Sequence, residues 1–425
     1  MPKRICIVGL TLSGNRGAES MLLGITQQMD HRMDACTYDL ISIYPRQDQA
    51  EVCPPGVRVI PGRPLTMICI LLPLTIILSS TVGKKTAGRL LRWLPAADAM
   101  LKADVVVDCS GISFVDGRGL AKLIYNVSLC LPPLLLGTPL VKLAQTLGPF
   151  NFRLNRLFAE AILPRLDRII ARGDVTAEHL AELGCTNYEI GADVAFLMEV
   201  SAVDMSSAKA LLPDIPRGCK VLGLSPSVVT EAQCGARGLD YRTMMADLIA
   251  YAISKDFKVV MIPHAVRPES RLRRNNDLIL CREILDFKGC NAGVCLVESK
   301  PRAPVLRALI SRMDVVVVSR FHAAISALST GVPLLTIGGG HKYREAMSMF
   351  GLEAYHVGID ELSSKDILQK FETLTSSQSQ VREEIVSDLV AVKGAAVRNV
   401  DTLVDLLQAQ SRQEFTDEAT VPHDE

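Results

Sequence analysis

The sequence predicts an α/β protein built from two doubly wound parallel sheets. Three observations lead there. Apolar runs such as Ile5–Leu10 and Val315–Val318 show no polar alternation, the pattern of parallel strands covered on both faces. Amphipathic stretches of helical spacing lie between such runs, so strand and helix alternate. The chain has 425 residues, more than one core ordinarily holds, and a second α/β series starts at Val221.

In chain order, Ile5–Leu10 is a strand, followed by the loop around Gly14, Asn15 and Gly17 and a helix over Ala18–Met29. The two glycines suit a loop whose backbone approaches something closely; the plainer alternative is an ordinary βα turn. Tyr38–Ile43 and Val57–Ile60 are the next strands. Pro64–Val82 then carries no charge, and Lys84, Lys85, Arg89, Arg92 and Trp93 follow it. Its length approaches that of a membrane span. Pro73 and the position between two strands of one sheet argue against crossing. A helix lying in the membrane surface fits, with the basic cluster on anionic head groups; the alternative is a helix buried in the protein.

Ala103–Cys109 is a strand, Leu120–Leu131 a helix, Pro139–Ala144 a strand, Asn151–Leu163 a helix and Asp167–Ala171 a strand. Asp174 caps a helix that Gly184 stops. An N-terminal domain over 1–200 is therefore expected, then a linker over 201–218 containing Pro213, Pro216 and Gly218. A second domain over 219–374 follows, with the strands Val221–Leu224, Lys258–Ile262, Val294–Val297, Val315–Val318, Val332–Ile337 and Ala354–Val357. A C-terminal helix over 375–410 and a polar, disordered tail over 411–425 complete the expected layout.

Composition narrows the class. Lys plus Arg and Asp plus Glu both number 46, so no nucleic-acid partner is expected. The twelve cysteines form no CxxC pair and no zinc-spaced cluster, which points to free thiols in a reducing, cytoplasmic setting and to no metal. Met1–Arg4 leads directly into a strand, without the pattern of a signal peptide.

Asp314–Gly340 reads strand, turn, helix, glycine stop, strand and glycine-rich turn. Ser319 is expected to cap the helix starting at Phe321, which places Arg320 and His322 at its N-terminal turn. Cations are locally unfavourable there unless an anion is bound, and ligands of open α/β sheets sit at such strand ends. The plainer alternative is a solvated Arg320 and a packed His322.

The motifs together resemble the polysaccharide pyruvyl transferase family over about Gly9–Leu352. Gly14-Asn15-Arg16-Gly17-Ala18-Glu19 is similar to its GNxGDE loop, with Ala18 in place of the acidic residue. Cys109–Asp116 stands at its glycine-rich turn, and Gln145–Pro149 resembles its QxxGP turn. Arg172-Gly173-Asp174, the Asp193–Phe196 segment, Arg320-Phe321-His322-Ala323, Gly331-Val332-Pro333 and Lys342 follow in the family's order.

The resemblance implies a GT-B-like fold of two Rossmann-like domains facing a cleft. It also implies pyruvyl transfer from phosphoenolpyruvate to a sugar hydroxyl pair as a ketal, without a cofactor. Arg320, Lys342, Arg172 and Ser319 would hold the donor's two anionic groups. His322 would be the general acid, with His264 and His341 in reserve, and Glu19 and Asp116 would act as bases or orient hydroxyls. The acceptor would be a cell-surface glycan; the amphiphilic Pro64–Val82 segment, and not the resemblance, suggests a lipid-linked precursor presented at the inner face of the plasma membrane. Two other classes fit the same layout: a GT-B glycosyltransferase with a nucleotide-sugar donor, and a non-catalytic scaffold for polysaccharide assembly at the membrane surface.

Overall fold

The computed structural model describes residues 2–212, 218–267, 273, 276–287 and 293–419. Within them the backbone forms two compact units. One comprises residues 2–11, 22–197 and 394–419; the other comprises 12–21 and the described part of 198–393. The expected boundary near 200 is thus crossed twice. The glycine loop and the first turns of its helix belong to the second unit, and the end of the C-terminal helix belongs to the first.

The first unit contains a parallel seven-stranded sheet. Its strands are β1 (Lys3–Val8), β2 (Cys36–Ser42), β3 (Val57–Pro61), β4 (Val105–Asp108), β5 (Leu140–Gln145), β6 (Arg168–Arg172) and β7 (Tyr188–Gly191). They are ordered β3-β2-β1-β4-β5-β6-β7. The second unit holds β8 (Lys220–Ser225), β9 (Phe257–Met261), β10 (Val294–Leu296), β11 (Val315–Val318), β12 (Leu334–Ile337) and β13 (His356–Val357), also parallel. Their order is β10-β9-β8-β11-β12-β13. Each sheet reverses direction beside its first strand, the doubly wound arrangement. Val315–Val318 is buried along its whole length, as its unbroken apolar run requires.

Several expectations need correction. The helix expected to stop at Leu131 continues through Pro132 and Pro133 to Leu136, and Gly137 in left-handed conformation ends it. Both prolines are buried, so packing outweighs the lost N–H groups. The expected linker contains the helix Ala202–Ala210, started by a capping box between Ser201 and Asp204, while 213–217 lie outside the described residues. The last helix runs over Gln378–Ala419, so 411–419 are helical rather than a disordered tail; 420–425 lie outside the described residues. The strand β7 and the helix Val228–Gly235 were not expected.

Pro64–Thr81 is helical throughout, with a π turn at Met67–Leu71. That wider turn precedes Pro73, which has no N–H to donate back along the helix. One side of this helix joins the core of the first unit through Met67, Leu71 and Leu72.

Candidate functional site

The second unit concentrates its buried polar groups at the carboxyl ends of β8, β9 and β11. This is where its strand order reverses, the usual ligand position in an open α/β sheet. Ser225 ends β8, and Ser227 caps the following helix by accepting from the N–H groups of Val229 and Thr230. His264 follows β9, and Ser319–His322 follows β11. The glycine loop belongs to the same unit and explains its own composition. A Cβ on Gly17 would lie 2.2 Å from Nδ1 of His322, and one on Gly14 would lie 2.5 Å from Nε of Arg267. Gly14 also has a φ of +68°. Both ligand-like neighbours of this loop are therefore side chains of its own unit.

Two buried carboxylates organise the arginines. Asp277 accepts from Nε and the terminal nitrogen of Arg320 at 2.8 and 2.5 Å. It also accepts from the backbone N–H of Val228 at 3.1 Å and of Ala265 at 2.8 Å. Glu19 accepts from Arg16 at 2.8 Å, from Arg302 at 3.2 Å and from the N–H of Ala303 at 3.1 Å. That last bond caps the helix Ala303–Ile310. Arg267 donates to the carbonyl of Ser13, and Arg307 to the carbonyl of Met198 at 2.7 Å.

His264 senses these charges. Its pKa is lowered from 6.5 to about 3, first by burial, then by His322, Arg320, Arg16 and Arg307. It is therefore a neutral imidazole at neutral pH, and not an acid there. Its Nδ1 is buried and makes no hydrogen bond among the described residues, as is also true of the Ser225 hydroxyl. A polar anion placed here would meet unused hydrogen-bonding groups within a cationic environment.

The expected site residues are distributed as follows. His322 packs its ring edge-on to Phe321 at 5.2 Å and against Gly17. Ser319 does not cap the helix: its hydroxyl is 2.6 Å from that of Tyr241, and Arg320 occupies the N-cap position without a side-chain cap. Tyr343 donates to the Ser319 carbonyl at 2.8 Å. The ammonium of Lys342 lies 5.3 Å from the Phe321 ring centre and 5.1 Å from that of Tyr343. Nε2 of His341 is 3.7 Å from Glu345. Asn15 closes the loop by accepting from the N–H of Gly17 at 3.2 Å. Glu19 anchors two arginines and a helix end.

Two expected residues belong to the first unit. Arg172 donates to Asp193 at 2.7 Å, to Thr146 at 2.6 Å and to the Gly111 carbonyl at 2.9 Å. Asp116 accepts from the N–H groups of Asn151 and Phe152 at 2.6 and 3.0 Å and from Asn155 at 2.8 Å, fastening the start of the helix Arg153–Ile162. These bonds tie both side chains into the first unit. Among the described residues no group of three or more His, Cys, Asp or Glu could hold a metal ion. Asp277, Arg267, Arg302 and Arg307 were not singled out from the sequence. The position of Arg267 shortly after an apolar strand was the one available signal.

Comparison with known proteins agrees with this layout. The model of the family described as polysaccharide pyruvyl transferase matches residues 15–341. The chain belongs to the polysaccharide pyruvyl transferase family. The match takes in Asn15 and Gly17 of the glycine loop and the β11 turn, and ends at His341, the first residue of the helix His341–Ser348. The amylovoran biosynthesis protein AmsJ of Erwinia amylovora is 21% identical over 398 residues, which cover 90% of this chain and 94% of that relative. Both findings place this member of the family in polysaccharide modification. Among solved structures, a UDP-GlcNAc 2-epimerase from Neisseria meningitidis aligns with a TM-score of 0.58 at 13% identity, covering 95% of this chain and all of that one. A trehalose 6-phosphate synthase from Burkholderia multivorans aligns at 0.57 and 11% identity, covering 97% of this chain and 100% of that one. At such identities these similarities concern the fold alone, and the fold is GT-B-like.

Proposed function

We propose that this pyruvyl transferase takes its pyruvate from phosphoenolpyruvate and leaves it as a cyclic ketal on a hydroxyl pair of a polysaccharide sugar or its lipid-linked precursor. The observation that carries the reading is the cationic surrounding of the buried His264, beside the N-terminus of the helix Phe321–Ser329. Phosphoenolpyruvate brings a phosphate and a carboxylate. Arg16 and Arg302, which share the carboxylate of Glu19, and Arg320, paired with Asp277, together with the positive end of that helix, suit two such anions.

His322 is the proposed general acid. A proton delivered to the methylene carbon makes it a methyl group and leaves cationic character on the adjacent carbon. The first sugar hydroxyl adds there and loses its proton. Departure of inorganic phosphate regenerates the cationic carbon, and the second hydroxyl adds and loses its proton in turn. One of the two released protons replaces the one consumed; the other leaves with phosphate. Neutral His264 supports this by hydrogen bonding rather than by carrying charge.

The test is phosphate release from phosphoenolpyruvate, with and without lipid-linked glycan from the source cell. Release should depend on the acceptor, and His322→Ala should lower kcat by roughly 10²–10⁴ with a smaller effect on donor binding. Unchanged turnover in His322→Ala would remove that residue from the mechanism. Binding of a nucleotide sugar with no phosphate release would replace the donor assignment altogether.

A further inference from the structure

The helix Pro64–Thr81 keeps an apolar surface on both sides. Met67, Leu71, Leu72 and Thr75 point into the first unit. The opposite stripe recurs at helical spacing as Leu65, Cys69, Ile70, Ile76 and Ile77, with half-buried Pro73 among them. A surface helix ordinarily carries charges there, and this one carries none. A core helix could share that composition, but only 22% of Pro64–Thr81 is buried. Leu65 is 76% exposed and Ile77 55%.

The surroundings complete the pattern. Exposed Arg63 precedes the helix, and the next helix, Lys84–Leu91, exposes Lys84, Lys85, Arg89 and Leu90. Arg92 is exposed beside Trp93, which is 66% exposed. From Val52 to Ala97 the sequence contains no carboxylate. An uncovered apolar stripe with basic residues at both ends and an interfacial tryptophan matches the chemistry of a negatively charged lipid surface. A two-fold contact with a second copy would bring the same basic residues against each other. A transmembrane span would withdraw Met67, Leu71 and Leu72 from the core.

We propose that this face of the first unit docks on an anionic phospholipid bilayer, with the helix Pro64–Thr81 lying in the membrane surface. The exposed apolar side chains enter the head-group boundary, and Arg63, Lys84, Lys85, Arg89 and Arg92 meet the lipid phosphates. This proposal stands independently of the donor and of the assignment of His322.

The purified full chain should co-float with vesicles of phosphatidylcholine and phosphatidylglycerol, and far less with phosphatidylcholine alone. Ile77→Glu combined with Trp93→Ser should lower the bound fraction at least about tenfold, as should the fourfold change of Lys84, Lys85, Arg89 and Arg92 to Ser. All these side chains are exposed, so thermal melting should confirm intact folding of the variants. Failure of the wild type to float with anionic vesicles overturns the proposal, and so does flotation that the folded variants retain. A lipid-free dimer that Ile77→Glu dissociates would also overturn it, by assigning the face to a second copy.

Discussion

Two buried nitrogen bases, one in each unit, meet opposite electrical surroundings. Lys142 in the first unit is fully buried, and burial alone would lower its pKa. Asp108, at hydrogen-bonding contact, outweighs that effect, so the pKa of Lys142 rises. Nearby, Arg172 is likewise matched by Asp193, with both side chains almost wholly buried. His264 in the second unit is buried too, but its charged neighbours are cations, and they add to the effect of burial. A matched pair needs no further partner and holds strand ends in place. A neutral base among guanidinium groups is an environment that an incoming anion would relieve. The two surroundings differ in what faces the buried base: a carboxylate in the first unit, and in the second guanidinium groups whose own carboxylates lie on Asp277 and Glu19.

The largest expected effect tests the matched pair. Lys142→Met leaves Asp108 buried without its cation and should destabilise the protein by about 3–5 kcal/mol in urea unfolding. Replacing Asp108 by Leu as well should recover much of that loss. A negligible effect of the single change would mean that Asp108 is not ionised in the fold.

Next in size is the response of the protein to the proposed donor. Phosphoenolpyruvate at about 100 times its Kd should stabilise the wild type by about 2.7 kcal/mol. In Arg302→Met, Glu19 keeps Arg16 and the Ala303 N–H, so the unliganded fold should change little. The same donor concentration should then give a clearly smaller shift in Tm. Equal shifts in both proteins would place the anion elsewhere.

His264 predicts the third effect, through pH. Its folded pKa, about 3, lies below its unfolded value, so below pH 6.5 the unfolded chain binds a proton that the folded chain refuses. Stability is full above pH 6.5 and falls as pH drops toward 3. Between pH 6.5 and 5 the loss should be about 1.6 kcal/mol. His264→Gln should flatten the Tm profile across that window. A weaker slope of the same sign should remain from His356, lowered to about 4 by burial and by Arg344 and Lys370.

The smallest effect is also the most local. Gly17 lies in the first turn of the helix Arg16–Arg32, where Ala would ordinarily be the better helix former. Gly17→Ala must displace the His322 ring. Turnover should fall about tenfold, equivalent to about 1.4 kcal/mol, without a matching loss of Tm. Full activity in this variant would show that the ring position is not critical.

Much of the fold is legible in short stretches. Val315–Val318 and Ile5–Val8 announce buried strands because nothing in them tolerates water. The glycine loop and the turn Arg320–Ala323 each stand out in the sequence, since glycine spacing and a histidine at a strand end are local signals, and the structure packs Gly17 against His322. Residue partnerships were not legible. Glu19 and Arg302 are 283 positions apart, and Asp277 and Arg320 are 43 apart, so no periodicity links them. For this reason the sequence offers Glu19 as a base and does not show that it also anchors Arg16, Arg302 and the Ala303 N–H. Pro132-Pro133 shows the converse failure. A sound local rule stops the helix there, and burial of both rings overrides it.

The outward stripe of Pro64–Thr81 also determines how the protein can be chemically labelled. Among the described cysteines, Cys69 alone is exposed, and it sits on that stripe. Burial pushes the thiols of Cys185 and Cys234 up to about 11 and that of Cys130 to about 12, which leaves them poorly reactive at neutral pH. The native sequence therefore carries a labelling handle on this apolar outer stripe. A polarity-sensitive dye attached there would report what covers that surface, with no cysteine introduced by mutation.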